Sequence, residues 1–258
     1  MRVFQTGLVS ITFRKLPPED LIGLVVRAGQ RGVEWGGDVH VPHGDLTRAE
    51  EVGRWTRESG LEVAAYGSYY RVGEKTDNPE FEAVLESAQA LGAPTIRVWA
   101  GKKGSAEATE SDRKRIEDDT RRICAMAADH GIRVAYEYHG NTLTDDMKSA
   151  RTLLEALPLE NLDTLWQPPN GQPLDHCLDS LRTVLTRVSN VHVFHWGRGW
   201  GDRFALEEGE ERWKRYLEVL AKTNTTRWAL MEFVKNDDPE QYLADAATLQ
   251  RWVADKNS

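Results

Sequence analysis

The sequence predicts a single α/β domain, a closed (β/α)8 TIM barrel spanning residues 1–258. Short runs rich in β-branched and aromatic residues alternate with longer segments in which apolar residues recur every three or four positions, as in amphipathic helices. The predicted strand ends recur roughly every 32 residues, about the length of one strand, one helix and their loops. Eight such units fill the chain. No predicted strand is followed by the glycine-rich phosphate loop of an open, doubly wound sheet.

Strands and helices are predicted in strict alternation. The strands are expected at 8–13, 32–37, 62–68, 95–101, 133–140, 163–167, 190–196 and 228–233. A helix is expected after each of them, at 18–30, 47–59, 78–91, 109–130, 145–156, 173–186, 210–222 and 239–254. Capping residues support three helix starts, at Thr47, Asn78 and Asp238. Glycines in the left-handed conformation are expected to end three helices, at Gly60, Gly92 and Gly131.

The composition narrows the class of protein. Lys and Arg number 33 against 41 Asp and Glu, a net charge of −8, which argues against a nucleic-acid binder because phosphate contacts need a basic face. The first residues lack the apolar stretch of a signal peptide, and no apolar run approaches the ~20 residues of a spanning helix. Cys124 and Cys177 are expected to be buried free thiols. We therefore expect a cytoplasmic protein without membrane association.

Two glutamates stand out because they lie inside otherwise apolar strands. Glu137 and Glu232 would be costly there unless each is paired or coordinates a metal, and the active site of such a barrel lies at these strand ends. Gln167 and His192 belong to the neighbouring strands. Together they would form an oxygen-rich site with one nitrogen ligand, suited to one divalent ion: Mn, Mg, Co or Zn. The alternative is that the glutamates pair with arginines at the barrel mouth.

Nine tryptophans are many for a chain of this length. Five of them fall at or just beyond predicted strand ends: Trp35, Trp99, Trp166, Trp196 and Trp200. Flat apolar faces around a polar floor suit the C–H face of a sugar ring, although a non-sugar aromatic ligand would pack against the same walls. The tryptophans therefore predict a small-molecule pocket.

Four segments carry a resemblance to a known family: GVEWGGDVHVPHGD (32–45), YEYHG (136–140), VHV (191–193) and LME (230–232). In their order and spacing, the chain resembles the xylose isomerase-like sugar isomerases and epimerases over essentially its whole length. The resemblance implies one divalent metal held by a glutamate, an aspartate, a histidine and a glutamate from the fifth to the eighth strand. Glu137, His192 and Glu232 match this set, whereas Gln167 stands where the family usually has the aspartate.

Two further positions depart from the family pattern. Asn170 replaces a common histidine and His195 a common aspartate. With glutamine in place of aspartate, the ligand set carries −2 rather than −3, which weakens its attraction for a cation. Three consequences remain open: weaker metal binding, recruitment of His195 as a ligand, or loss of the metal.

The resemblance implies an isomerase or epimerase of a sugar or polyol ketone that acts through a metal-stabilised enediolate. Glu137 and Glu232 would act as ligands and as acid/base groups on opposite faces of the substrate. The expected substrate contacts are Trp35, His40, Trp99, His139, Asn170, His195, Trp196 and Arg203.

Two alternatives stay open. One is a dehydratase or lyase like the inosose and dehydroshikimate dehydratases of the same superfamily, or an enzyme of 3-oxo-glycoside elimination, with His195 or His40 as the acid. The other is a non-catalytic sugar-binding barrel. A neutral small molecule is the expected partner because an acidic protein attracts anions poorly at long range. Homo-oligomers are compatible with the fold.

Overall fold

The barrel closes as predicted. The computed structural model describes residues 3–199, 201–223 and 225–257, and in it eight parallel strands pair in chain order, with the last pairing with the first. The strands are β1 (Phe4–Val9), β2 (Gly32–Gly36), β3 (Glu62–Arg71), β4 (Thr95–Trp99), β5 (Arg133–Glu137), β6 (Leu162–Trp166), β7 (Val188–Val193) and β8 (Arg227–Met231).

A helix follows each strand and covers the outside of the barrel. The helices are α1 (Pro18–Arg27), α2 (Leu46–Glu58), α3 (Phe81–Leu91), α4 (Glu110–Ala128), α5 (Met147–Ala156), α6 (Leu174–Val184), α7 (Glu210–Ala221) and α8 (Pro239–Asn257). The strands read as nearly continuous apolar runs because one face meets these helices and the other faces the barrel interior. A small apolar cluster that includes Val9, Ala64 and Leu230 packs separately from the main core.

The first strand was predicted several residues too late. It spans Phe4–Val9, and Ser10–Phe13 form a 3-10 helix. Hydroxyls in this turn bind the backbone of neighbouring strand ends: Ser10 accepts a hydrogen bond from the Gly36 amide, and Thr12 accepts one from the Phe233 amide. The β-branched residues that suggested a strand therefore belong to a turn that ties β1 to β2 and β8.

Two of the three predicted helix caps are wrong. The N-cap of α2 is Asp45, which accepts a hydrogen bond from the Arg48 amide at 3.1 Å, rather than Thr47. Asn78 instead binds both backbone groups of Arg71, and α3 begins three residues later. Asp238 does accept a hydrogen bond from the Glu240 amide at the start of α8.

The predicted glycine terminations are confirmed, since Gly60, Gly92 and Gly131 have φ angles of 76°, 79° and 67°. Cys124 and Cys177 are buried free thiols, as expected. Among the described residues, no helix is long and apolar enough to cross a bilayer.

Candidate metal and active site

The strand ends surround a cavity of about 500 Å³ at the carboxyl end of the barrel. Its polar lining includes Glu137, Gln167 and Glu232, from the ends of β5, β6 and β8. Its walls are largely aromatic. This is the face on which (β/α)8 barrels carry their active sites.

Three of the four predicted metal ligands converge. Glu137, His192 and Glu232 are buried, and each offers a ligand atom within 4.8 Å of the others. His192 Nδ1 lies 3.5 Å from Glu232 Oε2 and 3.9 Å from Glu137 Oε1. Because these three residues lie on β5, on β7 and just after β8, only the closed barrel brings their side chains together.

Gln167, the fourth predicted ligand, lies beside this triad. Its Nε2 donates a hydrogen bond to Glu137 Oε1 at 3.1 Å. Its buried Oε1 has no hydrogen-bond partner among the described residues, which is unusual for a buried polar atom. An unsatisfied amide oxygen next to two carboxylates and an imidazole is a donor set that fits a divalent cation. The residues present are therefore compatible with a metal, despite the missing aspartate.

Glu34 and Arg97 also belong to the cluster, although neither was among the site residues predicted from the sequence. Both are almost completely buried, with Arg97 Nε 2.8 Å from Glu34 Oε1, and Arg97 Nη1 also forms an ion pair with Glu137 Oε2. Glu34 Oε2 lies 3.2 Å from His192 Nε2, where it can orient the imidazole from behind. The signal was present in the sequence, because each is a charged residue inside an apolar strand, as Glu137 is.

The paired-glutamate alternative therefore holds for one of the two glutamates. Glu137 is paired with Arg97, whereas Glu232 makes no ion pair with any arginine in the described part of the chain. Gly67 on β3 makes room for this pairing. A Cβ there would lie 2.6 Å from Arg97 Nη2 and 3.0 Å from Glu34 Oε1.

Charge interactions dominate the titration of the cluster. Burial favours the neutral form of Glu137, but mainly Arg97, with His139 and His192, lowers its pKa to about 2. For Glu34, burial is likewise outweighed by His192 and Arg97, so its pKa is lowered. Burial would lower the pKa of His192, yet Glu232 and Glu34 raise it to about 10. A ligated metal requires a neutral imidazole, so metal binding at His192 would displace this proton.

The cavity walls are aromatic, as the tryptophan count suggested. Trp99 donates a hydrogen bond to Glu137 Oε2 at 2.5 Å, and its ring meets Tyr69 and His139 at centroid distances of 5.2 Å each. On the opposite side, Trp196 stacks on Phe194 at 4.2 Å. Flat apolar faces therefore flank the charged floor.

Of the eight expected substrate contacts, four line this cavity: Trp99, His139, Asn170 and Trp196. Trp35 does not. It follows the inward-facing Glu34 and so points to the other face of the sheet, where its Nε1 donates to Thr56 Oγ1 on α2. Trp166 is turned outward in the same way and bonds Ser180.

His40, His195 and Arg203 also lie outside the cavity lining. His40 is buried between Ser10 Oγ, at 2.9 Å, and the Leu16 carbonyl, at 3.2 Å, which makes it a structural residue. The Arg203 guanidinium covers the rings of Trp196 and Phe233 and pairs with Asp237. His195 borders a smaller adjoining cavity. Trp200 lies outside the described residues.

A further cavity of about 540 Å³ lies on the outer surface beside α4. Its arginines are paired with carboxylates, Arg122 with Asp119 and Arg115 with Asp112. It is remote from the converging ligands, so we do not place the chemistry there.

The chain belongs to the xylose isomerase-like TIM barrel family, whose model matches residues 22–252. A curated relative, the 3-dehydroshikimate dehydratase of Bacillus anthracis, is 29% identical over 169 residues. That alignment covers 60% of this chain and 59% of the relative, so the chain matches less than two thirds of the relative's length.

Solved structures share the whole fold. A probable 3-DHS dehydratase from Bacillus anthracis has a TM-score of 0.76 at 20% identity, covering 95% of this chain and 98% of that one. The 3-keto-D-glucoside 4-epimerase of E. coli has a TM-score of 0.72 at 19% identity, covering 96% and 99%. A Mycobacterium smegmatis protein in complex with magnesium has a TM-score of 0.73 at 12% identity, covering 95% and 92%. At such identities these likenesses establish the fold alone.

Proposed function

We propose that this protein is a divalent-metal-dependent dehydratase that removes water from a small β-hydroxy ketone. The observation that carries the proposal is the unequal state of the two glutamates at the cavity. Both line it, but the two carboxylate oxygens of Glu137 accept hydrogen bonds and pair with Arg97, whereas Glu232 has no arginine partner among the described residues.

Glu137 is poorly suited to exchange protons. Its Oε2 accepts from Arg97 and Trp99, and its Oε1 accepts from Gln167. These donors, with the Arg97 charge, stabilise the carboxylate, consistent with a pKa of about 2. In a two-carboxylate epimerisation one carboxyl group must hold a proton and return it to carbon. Glu137 is poorly suited to that role because its protonated form is unfavourable.

Glu232 is the better candidate for the base. Among the described residues its ion-pair partner is the imidazole of His192, with Oε2 3.5 Å from Nδ1. In the proposed reaction Glu232 removes the proton from the carbon next to the carbonyl. The C–H electron pair forms the new double bond, and the carbon–oxygen bond to the β-hydroxyl breaks.

The departing hydroxide needs a proton, and His139 lines the same cavity. Its Nδ1 lies 2.7 Å from the Gly140 carbonyl, to which it donates its hydrogen. His139 would therefore act as the acid in its imidazolium form, passing the Nε2 proton to the departing hydroxide and remaining as the neutral Nδ1–H imidazole. His139 therefore replaces His195 and His40 as our candidate acid, since neither of those borders the cavity.

The metal would be held by Glu137, His192, Glu232 and the amide oxygen of Gln167. When bound, it would supply positive charge beside the substrate carbonyl, which lowers the cost of removing the adjacent proton. In this arrangement Arg97 and Glu34 act as positioning residues, because they hold Glu137 charged and His192 in place.

An isomerase or epimerase is the second candidate. It is favoured by the fact that both glutamates border one cavity, so that a substrate between them could meet a carboxylate on each side. It shares the first proton removal with the dehydratase and differs in the fate of the hydroxyl. The fold likeness to a 3-keto-glucoside epimerase is compatible with this candidate.

The test is to incubate the Mn²⁺-loaded protein with 3-dehydroshikimate in D₂O and follow the product by mass spectrometry. Loss of water supports the dehydratase. A product of unchanged formula that has gained deuterium supports the epimerase and overturns our proposal, as does the absence of any turnover. Glu232→Gln should abolish proton removal, and Glu240→Gln, an exposed pair with Arg27, is the matched control. In His139→Asn, water loss should fall more than deuterium exchange.

A further inference from the structure

A small cavity adjoins the main one and remains unexplained by the proposed chemistry. It measures about 190 Å³ and lies between the loops after β6 and β7 and the first turns of α7. The two cavities share Pro168, Pro169, Asn170, Phe194 and Trp196, so they are neighbours along one wall. Pockets for whole small molecules are typically about 300–1,000 Å³, so the smaller cavity suits one substituent of a ligand.

The lining of this cavity is cationic, although the protein carries a net charge of −8. Arg198 and Arg212 border it, together with His195, and none of the described residues that line it is an aspartate or glutamate. Burial and the charge of Arg212 lower the pKa of His195, so the two guanidiniums supply the charge. A local concentration of positive charge in an acidic protein attracts anions that its overall charge would repel.

Arg212 is held in place by neutral groups. Its Nε donates to the Tyr216 hydroxyl at 3.2 Å, and its Nη2 donates to the Gln172 carbonyl at 2.7 Å. Neither Arg212 nor Arg198 forms an ion pair with a carboxylate of the residues described here, in contrast to the arginines of the outer cavity. A half-buried guanidinium fixed by neutral acceptors keeps its charge available for a bidentate anion.

The loop after β6 is shaped around Arg198. Gly171 has a φ of 67°, and a Cβ at this position would lie 2.6 Å from Arg198 Cγ. The backbone therefore passes directly against the arginine side chain, and a larger residue would displace it from the cavity rim. On the inner side, the Trp213 indole donates to the Phe194 carbonyl at 2.7 Å and supports the shared wall.

We propose that this cavity is an anion subsite in which Arg198 and Arg212 bind a carboxylate or phosphate group of the substrate. The inference rests on the proposed function, since the reacting ketone would lie in the main cavity beside Glu232. It replaces the neutral sugar or polyol expected from the overall charge with an anionic oxo-acid or sugar phosphate. Arg198 and Arg212 are binding residues in this proposal and do not contact the reacting atoms.

The first test is binding, and it does not depend on turnover. Inorganic phosphate and acetate are titrated separately into the full-length protein at constant ionic strength, with tryptophan fluorescence as the signal because Trp196 and Trp213 line the cavity. We expect saturable binding, weakened about 10-fold to 100-fold in Arg198→Gln and in Arg212→Gln. Arg215→Gln is the control on the same helix, where Arg215 is exposed and lies 3.8 Å from Glu218.

The outcomes separate the two ligand sources. Saturation by phosphate but not acetate assigns the subsite to a phosphate group, and saturation by acetate extends it to carboxylates. Absence of saturation with both, or equal affinities in Arg198→Gln and Arg215→Gln, overturns the proposal. Because Arg198 is exposed, its replacement is expected to leave the fold intact even if Arg212→Gln does not fold.

The second test uses kinetics with 3-dehydroshikimate. The KM should rise about 10-fold to 100-fold in Arg198→Gln while kcat changes by less than about threefold, because a remote contact binds ground state and transition state alike. Arginine-dependent anion binding without turnover would contradict the proposed reaction but support the anion subsite. Turnover with an unchanged KM in both variants would remove the subsite and leave the reaction.

Discussion

The buried ion pairs around Arg97 make this single residue the electrostatic centre of the site. Arg97 neutralises part of the charge of Glu34 and Glu137, and all three side chains are nearly inaccessible to solvent. Removing one partner of a buried pair is costly because it leaves the other charge uncompensated, whereas exposed pairs contribute little. The stability of the metal-free protein should therefore depend strongly on this arginine.

We expect Arg97→Met to lower the free energy of unfolding of the metal-free protein by about 3 kcal/mol or more. Urea denaturation measures the change. The control is Arg31→Met, since Arg31 and Glu62 form an exposed pair at 3.3 Å and should contribute less than about 1 kcal/mol. The addition of Glu34→Gln to Arg97→Met should restore part of the loss. Similar losses in the Arg97 and Arg31 variants would contradict this electrostatic role.

Gln167 controls the charge of the predicted ligand set. A carboxylate at this position would place a further negative charge beside Glu137, His192 and Glu232, and hard cations bind carboxylates more strongly than amides. We expect Gln167→Asp to bind Mn²⁺ at least about tenfold more tightly, which corresponds to about 1.4 kcal/mol. Isothermal titration calorimetry provides the affinity.

The matched control for that variant is Gln89→Asp, which makes the same substitution at an exposed position of α3, outside the lining of the cavity. Its Mn²⁺ affinity should change by less than about threefold, because exposed charges are screened. Equal effects at positions 167 and 89 would indicate a general effect of the added charge and would exclude Gln167 from the ligand set.

At the scale of elements, strand alternation decides which side chains reach the cavity. Glu34 faces inward and Trp35 outward on β2, so neighbours in sequence have opposite roles. Non-glycine residues with left-handed backbone also occur at the rim, where Tyr69 and Phe233 have φ angles of 57° and 49°. Both line the cavity, and such conformations persist only when the surrounding structure enforces them.

Two glycines offer a direct comparison between elements. Gly67→Ala on β3 would force a Cβ against Arg97 and Glu34, so we expect lower stability and weaker Mn²⁺ binding. The Cβ added by Gly23→Ala in α1 meets no atom of the described part of the chain within 4 Å, and the substitution should stabilise the protein by about 0.5–1 kcal/mol through helix propensity. The midpoint of thermal or urea unfolding should therefore fall in Gly67→Ala and rise in Gly23→Ala. Equal stabilisation by both substitutions would show that β3 can accept a Cβ at position 67, contrary to the close contacts with Arg97 and Glu34.

For the whole molecule, a bound ion would join side chains from the last four strands. Anything that binds only the folded state stabilises it by mass action, so Mn²⁺ at 100 times its Kd should add about 2.7 kcal/mol. We expect the Tm to rise with Mn²⁺ and to return to the metal-free value with EDTA. Glu232→Gln should lose most of this shift, and Glu240→Gln should keep it. A Tm that does not respond to Mn²⁺, Mg²⁺, Co²⁺ or Zn²⁺ would favour a metal-free barrel.

The repeating pattern of strands and helices could be predicted from the sequence alone, and with it the closed barrel and the end of the barrel that carries the candidate site. Hydrophobic periodicity and helix-terminating glycines are local sequence patterns, so they can be recognised without knowledge of the tertiary contacts. The same holds for Glu137 and Glu232, because a carboxylate within an apolar strand is conspicuous in isolation. His192 and Gln167 followed from the family resemblance and from the positions of their strands.

Which charged side chains form ion pairs could not be predicted from the sequence, because it depends on the tertiary structure. Glu34 and Arg97 carry the same sequence signal as Glu137, but their pairing depends on the register of adjacent strands and on the space left by Gly67. The tertiary structure also directs Trp35 away from the main cavity and buries His40 outside the lining of that cavity. It brings Arg198 and Arg212 together at the second, smaller cavity. These features arise from contacts between residues distant in sequence, whose geometry exists only once the barrel has closed.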